Sequence, residues 1–212
     1  MDPEVTTSWA RIVTWCRDHA PETAAAIRPP AGPALRGRAE AATGGAWPED
    51  LRAWYRLADG TERITAGRLL PFYLPLPLAT VMEHWAMWQR IWADLAAASP
   101  YAAEWHDTPR LEAEPAGTAA MMFLPSFVPI AEDLCGNDLF VDTRQGRLRG
   151  CVTEFAKGDT DSWGPRWRSV TVMLAELATA LEEGRTIGGW RPRVEDGRLD
   201  WDVVPGPATP PL

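Results

Sequence analysis

Lysine is nearly missing from this chain: of its 21 basic residues only Lys157 is not arginine, which leaves Schiff-base chemistry one candidate. Cysteine and histidine are scarce as well, at three each (Cys16, Cys135 and Cys151; His19, His84 and His106). Three cysteines without a CxxC pair cannot make a disulfide framework, so reduced thiols in a cytoplasmic protein are expected. GxSxG, HExxH, GxxxxGK[ST] and GxGxxG are all absent. Their absence excludes the chemistries whose machinery is local in sequence, and bears less on a triad assembled from distant positions. Long apolar runs are lacking too. The longest uncharged stretch, Pro115 to Ala131, has 17 residues and three prolines, too broken for a membrane helix. The opening Met1-Asp2-Pro3-Glu4 is acidic where a secretory leader would be basic and then apolar. No five-residue block of Lys/Arg occurs in a chain of net charge −8, so a direct nucleic-acid partner is not expected.

What remains is ordinary globular material: 212 residues, 46% hydrophobic and 24% charged, enough for one domain with a decorated tail. Trp9, Ile12, Val13 and Cys16 set a helical stripe over 8–20, ended by Pro21. A stiff connector, Pro29-Pro30-Ala31-Gly32-Pro33, leads to short helices expected over 33–42, ended by Gly44-Gly45, and from Trp47-Pro48-Glu49-Asp50 to Asp59-Gly60. The proline-punctuated run 69–78 suits only an edge strand or an extended cover. A long helix over 80–96 puts Val81, Trp85, Trp88, Trp92 and Leu95 on one side and His84 on the polar side. Residues 99–120 read as a loop or irregular insertion. The period then changes. Runs at 127–132, 137–142 and 147–155 read as strands, the last two joined by a turn at 143–146. Ser169 opens a helix that Gly184 ends, and 190–194 and 198–203 flank a hairpin turn at Glu195-Asp196-Gly197. Helices, then an antiparallel meander, then a helix make this α+β, with one unit over 1–184 and a C-terminal hairpin and proline-rich tail over 185–212.

Few residues invite chemistry. Glu104, His106 and Asp107 are near neighbours on an irregular segment and point apart, so no metal is expected; no cofactor and no catalytic residue are expected either. Cys135 and Cys151 lie on successive strand regions and could approach one another, but read as apolar thiols. Period-2 geometry puts Asp138 and Asp142 on one face of a strand, too far apart to share a proton. Turn and capping roles suit Asp133 and Asp138 around Gly136-Asn137; the sharper reading makes Glu132, Asp133 and Asp138 an acidic rim facing a partner. Twelve tryptophans stand against five phenylalanines. Those on the long helix are core candidates, whereas some of Trp163, Trp167, Trp190 and Trp201, beside turns, should be exposed.

Several segments fall in one order: the Trp9 helix, Ile27-Arg28-Pro29-Pro30-Ala31, Trp47-Pro48-Glu49-Asp50-Leu51, Ala58-Asp59-Gly60, Val128-Pro129-Ile130-Ala131, Gly136-Asn137-Asp138, strand Asp142 and the Ser169 helix. This order resembles the Smi/Knr-type cell-wall-assembly regulator family of the SUKH superfamily, in its bacterial branch, over residues 9–184. Trp47 replaces the family's usual leucine and Asn137 a common aspartate. The resemblance implies a single α+β domain with a mixed, largely antiparallel sheet packed against helices, and a binding role without catalysis. It implies an immunity protein that neutralises a cognate toxin, or a regulator with an endogenous protein partner. Joined to the acidic balance, it points to a basic toxin domain engaged by Glu132, Asp133, Asn137, Asp138, Asp161 and Trp163.

Overall fold

Prolines open each of the first three helices. In the computed structural model, which describes residues 2–62, 67–98, 107–158 and 160–204, helix α1 spans Pro3–His19, α2 Pro21–Ala26 and α3 Pro33–Ala42. A proline there gives up an N–H that the helix could not use. The Asp2 carboxylate accepts the N–H groups of Glu4 and Val5, which starts α1 well before Ser8. Pro21 ends α1 as its position suggests, and also begins α2, which the apolar pattern did not announce. Helix α4 (Glu49–Tyr55) follows, and Asp59-Gly60 ends that region. Gly60 has φ +67°, and a Cβ there would stand 2.4 Å from the Leu76 carbonyl carbon, so only glycine fits without strain.

Five strands form an antiparallel meander in chain order: β1 (Leu74–Pro75), β2 (Phe127–Glu132), β3 (Asp138–Asp142), β4 (Val152–Phe155) and β5 (Pro165–Trp167). Every described pairing is antiparallel. The proline-rich 69–78 run supplies only the two-residue edge strand β1, and β5, the other edge, lies between the expected 147–155 strand and the Ser169 helix, where no strand was expected. The connection after β3 is wider than a tight turn and returns only at Val152.

Alternation along the strands gives the sheet two apolar faces. Val128, Ile130, Leu139, Val141 and Val152 join Ile12, Leu51 and Leu174 in one core, under α1, α4 and α7 (Val170–Glu183). Phe127, Phe140 and Phe155 point the other way, onto Phe123, Leu124, Leu111 and Trp88. This second face is covered by α5 (Leu78–Ala98) and by the stretch from α6 (Thr108–Ala113) to Leu124. The part of the expected insertion at 107–120 is therefore structural cover, while 99–106, with Glu104 and His106, and the tail at 205–212 lie outside the described residues. On α5, Trp88 is buried and Trp85 and Trp92 half-buried, whereas Leu95, expected on the apolar side, is exposed. The C-terminal hairpin, β6 (Trp190–Glu195) and β7 (Arg198–Val203), turns at Asp196-Gly197, both at positive φ. It rests on α2: the Leu199 N–H donates to Thr23 Oγ1 (2.8 Å) and the Glu22 N–H to the Gly197 carbonyl (2.9 Å).

Candidate functional site

Strand β3 carries Asp138, Phe140 and Asp142 on one face, as its period requires. That face is covered. The Trp88 indole N–H donates to Asp138 Oδ2 (2.5 Å), and His84 Nδ1 lies 3.1 Å from Asp138 Oδ1, so α5 is tied to the sheet at this end. His84, expected on a polar helix face, instead reaches inward, with Nε2 3.8 Å from Glu132. At the other end Asp142 takes a bidentate pair from Arg144 and the Gly117 N–H (2.8 Å). The Arg144 guanidinium also donates to the carbonyls of Leu111 (3.0 Å) and Thr118 (2.6 Å) and lies 5.1 Å from the centre of the Phe127 ring. A third carboxylate, Asp161, accepts the N–H groups of Ala120 and Met121, both at 2.8 Å. These groups pin the cover at five main-chain positions between Leu111 and Met121.

The acidic rim expected from Glu132, Asp133 and Asp138 is therefore interior. Glu132, Asp133, Asp138 and Asp161 are all buried. Asp133 builds the β2–β3 turn, accepting the N–H groups of Cys135 (2.7 Å) and Asn137 (3.0 Å) and the Asn137 side-chain amide (2.7 Å). Asn137 in turn accepts the Lys157 N–H (2.9 Å), joining this turn to the β4–β5 connection. The signal for burial was present: Phe140 lies between the two β3 aspartates on their own face, and a phenylalanine there needs a cover that closes over its neighbours too. Among the described residues six buried carboxylates, counting Asp59 and Asp142, stand against one buried guanidinium, Arg144. The described interior thus holds more negative than positive formal charge, so the exposed surface is less acidic than the composition suggests.

Asn137 is half-buried, and Trp163 is the expected site residue that is exposed. It is 76% exposed, on the turn leading into β5, whereas Trp167 and Trp201 are buried and Trp190 stacks on Phe72. Asp161 holds that turn through two bonds to the cover, and its own carbonyl accepts the Gly164 N–H (3.2 Å). Beside it are side chains that sequence reasoning missed. Met121, 55% exposed, has its sulfur 3.4 Å from the Thr160 hydroxyl. Leu148, 38% exposed, and Pro165 converge on Gly117, where an added Cβ would stand 2.9 and 3.1 Å from them. Met121, Trp163, Pro165 and Leu148 are thus apolar side chains, exposed or half-buried, on the cover and on the two connections beside it.

Nucleophilic chemistry finds little support in the thiols. Burial pushes Cys16 up to about 12, and burial with the nearby Asp142 pushes Cys151 up to about 11. Cys135 is exposed in the β2–β3 turn, at the opposite end of β3 from Cys151, so the two do not approach. Among the described residues no group of three His, Cys, Asp or Glu side chains is placed to hold a metal ion, and no helix is long and apolar enough to cross a membrane. The family model described as SMI1 / KNR4 family (SUKH-1) matches residues 37–176, from α3 into α7. No curated protein matches the chain.

Proposed function

Because the chain belongs to the SMI1 / KNR4 family (SUKH-1), we propose that it is a non-catalytic protein-binding module, acting as an immunity protein that neutralises a cognate toxin by covering it. The observation that carries this reading is Trp163, a large apolar ring with one donor held in solvent on a turn that Asp161 fixes from inside. An exposed indole on a rigid support loses little conformational freedom on binding, and residues of this kind dominate interface energetics. Asp161 acts as a support for that contact, and Asp133 and Asn137 support the neighbouring turn. The lack of a thiol with thiolate character among the buried cysteines fits a protein that works by contact.

The test is to replace Trp163 by a photo-cross-linking residue, irradiate the native cell and identify what is trapped. The trapped protein should be toxic when expressed alone, and co-expression of the wild-type chain should restore growth. Trp163→Ala should weaken binding at least about tenfold, the equivalent of about 1.4 kcal/mol. An endogenous, non-toxic protein trapped at this position would replace immunity by a regulatory role. Equal affinity of wild type and Trp163→Ala would remove the indole from the interface.

A further inference from the structure

We infer that the Trp163 surface is built for an acidic protein partner, not for the basic one that the overall charge of the chain invites. The inference rests on the binding role proposed above and adds the chemistry of the partner. Residues 143–168 hold six basic residues against three acidic, in a chain that holds 21 against 29. Burial sharpens the contrast. Asp161 faces inward onto the Ala120 and Met121 N–H groups, and Glu154 is neutralised by Arg166 at 3.0 Å. Asp159 belongs to the same stretch and lies outside the described residues. Arg147, Lys157 and Arg168 are exposed, and none of the three forms an ion pair among the described residues. Arg147 adjoins Leu148, Lys157 shares the β4–β5 connection with Trp163, and Arg168 follows the end of β5. Exposed apolar side chains set among cations that pair with no described carboxylate are the complement of an apolar anchor set among carboxylates.

The choice among acidic partners follows from range. Unscreened influence dies away over about 8 Å at physiological salt, so a compact carboxylate patch senses the local cations and not the distant acidic helices. An extended polyanion would meet the whole molecule, whose net charge is −8. Three exposed cations are also few for nucleic acid, where each phosphate contact contributes separately, or for a lipid surface, where each cation adds only about 1 kcal/mol.

A random-peptide display library selected on the full-length wild-type protein, and counter-selected on Trp163→Ala, tests this directly. Peptides lost on Trp163→Ala should be enriched in Asp and Glu around an apolar residue. Binding of a synthesised winner should fall at least tenfold in Lys157→Glu/Arg168→Glu, with the variant's thermal unfolding unchanged, and should weaken as salt is raised. Trp163-dependent peptides rich in Lys and Arg would overturn the acidic preference while leaving the binding role standing. No Trp163-dependent enrichment at all would sink both. Co-sedimentation with phosphatidylserine vesicles, or retention of single-stranded RNA, lost on the same double substitution, would replace the protein partner by a polyanion.

Discussion

Asp161 does at residue scale what a longer interface would need several side chains to do. Two main-chain N–H groups converge on its buried carboxylate, and an asparagine could accept only through its one oxygen. Asp161→Asn should therefore cost about 1–3 kcal/mol in chemical denaturation. Its pH dependence has a definite sign. Burial raises this carboxyl above its ordinary range, with the two N–H donors pulling it back. The folded chain then keeps the proton to higher pH than the unfolded chain, so this residue's contribution to stability falls as pH rises through the carboxylate range. The stability gap between wild type and Asp161→Asn should narrow from acid to neutral pH. A gap that stays constant would mean that Asp161 titrates alike in both states. Gly60 is another residue without a ready substitute. Gly60→Ala drives a Cβ against the Leu76 main chain at a positive φ, and should lower stability by more than about 2 kcal/mol.

Helix α7 shows how an element can be written almost wholly in local signals. Ser169 Oγ accepts the Val172 N–H (3.1 Å), Asp50 Oδ2 accepts the Thr171 N–H (3.1 Å), and Gly184 leaves in the left-handed region. Ser169→Ala should cost about 1 kcal/mol, read as a lower thermal midpoint. The start, stripe and stop of this helix were all legible in the sequence, as were strand β2 and the Asp196-Gly197 hairpin, because each depends on residues a few positions apart. Strand β5 was not, since three residues are too few to show a period and Pro165 argues against a ladder. The aspartates of β3 were placed on the right face and given the wrong surroundings. Asp138 is buried under Trp88 and His84 of α5, and what buries Asp142 comes from 111–124, a stretch with little periodicity of its own, held by bonds between residues far apart in sequence. The same reason hid Met121 and Leu148, whose exposure depends on where that stretch lies.

For the whole molecule, the division of charge matters more than its total. Acidic side chains hold the second layer onto the sheet from within, while cations are left outside on the segments around Trp163, the most exposed of the described tryptophans. Iodide should therefore quench the Trp163 contribution, isolated by subtracting the Trp163→Phe spectrum, better than caesium does. The reverse order would mean that the local potential is negative. Arg144 couples the two layers. Arg144→Met leaves the buried Asp142 without its counter-ion and should cost about 3–5 kcal/mol. Amide exchange should rise first over 111–124, before it rises in α1 or α7; a uniform rise would mean that the layer does not loosen separately. The bonds that Asp142, Arg144 and Asp161 make to this layer go to N–H and carbonyl groups that every residue type except proline possesses in full. The lettering of the exposed positions Thr118, Ala119 and Met121 is thereby uncoupled from its fastening. A lineage under pressure from a changing counterpart could respell those positions repeatedly and keep the same scaffold underneath.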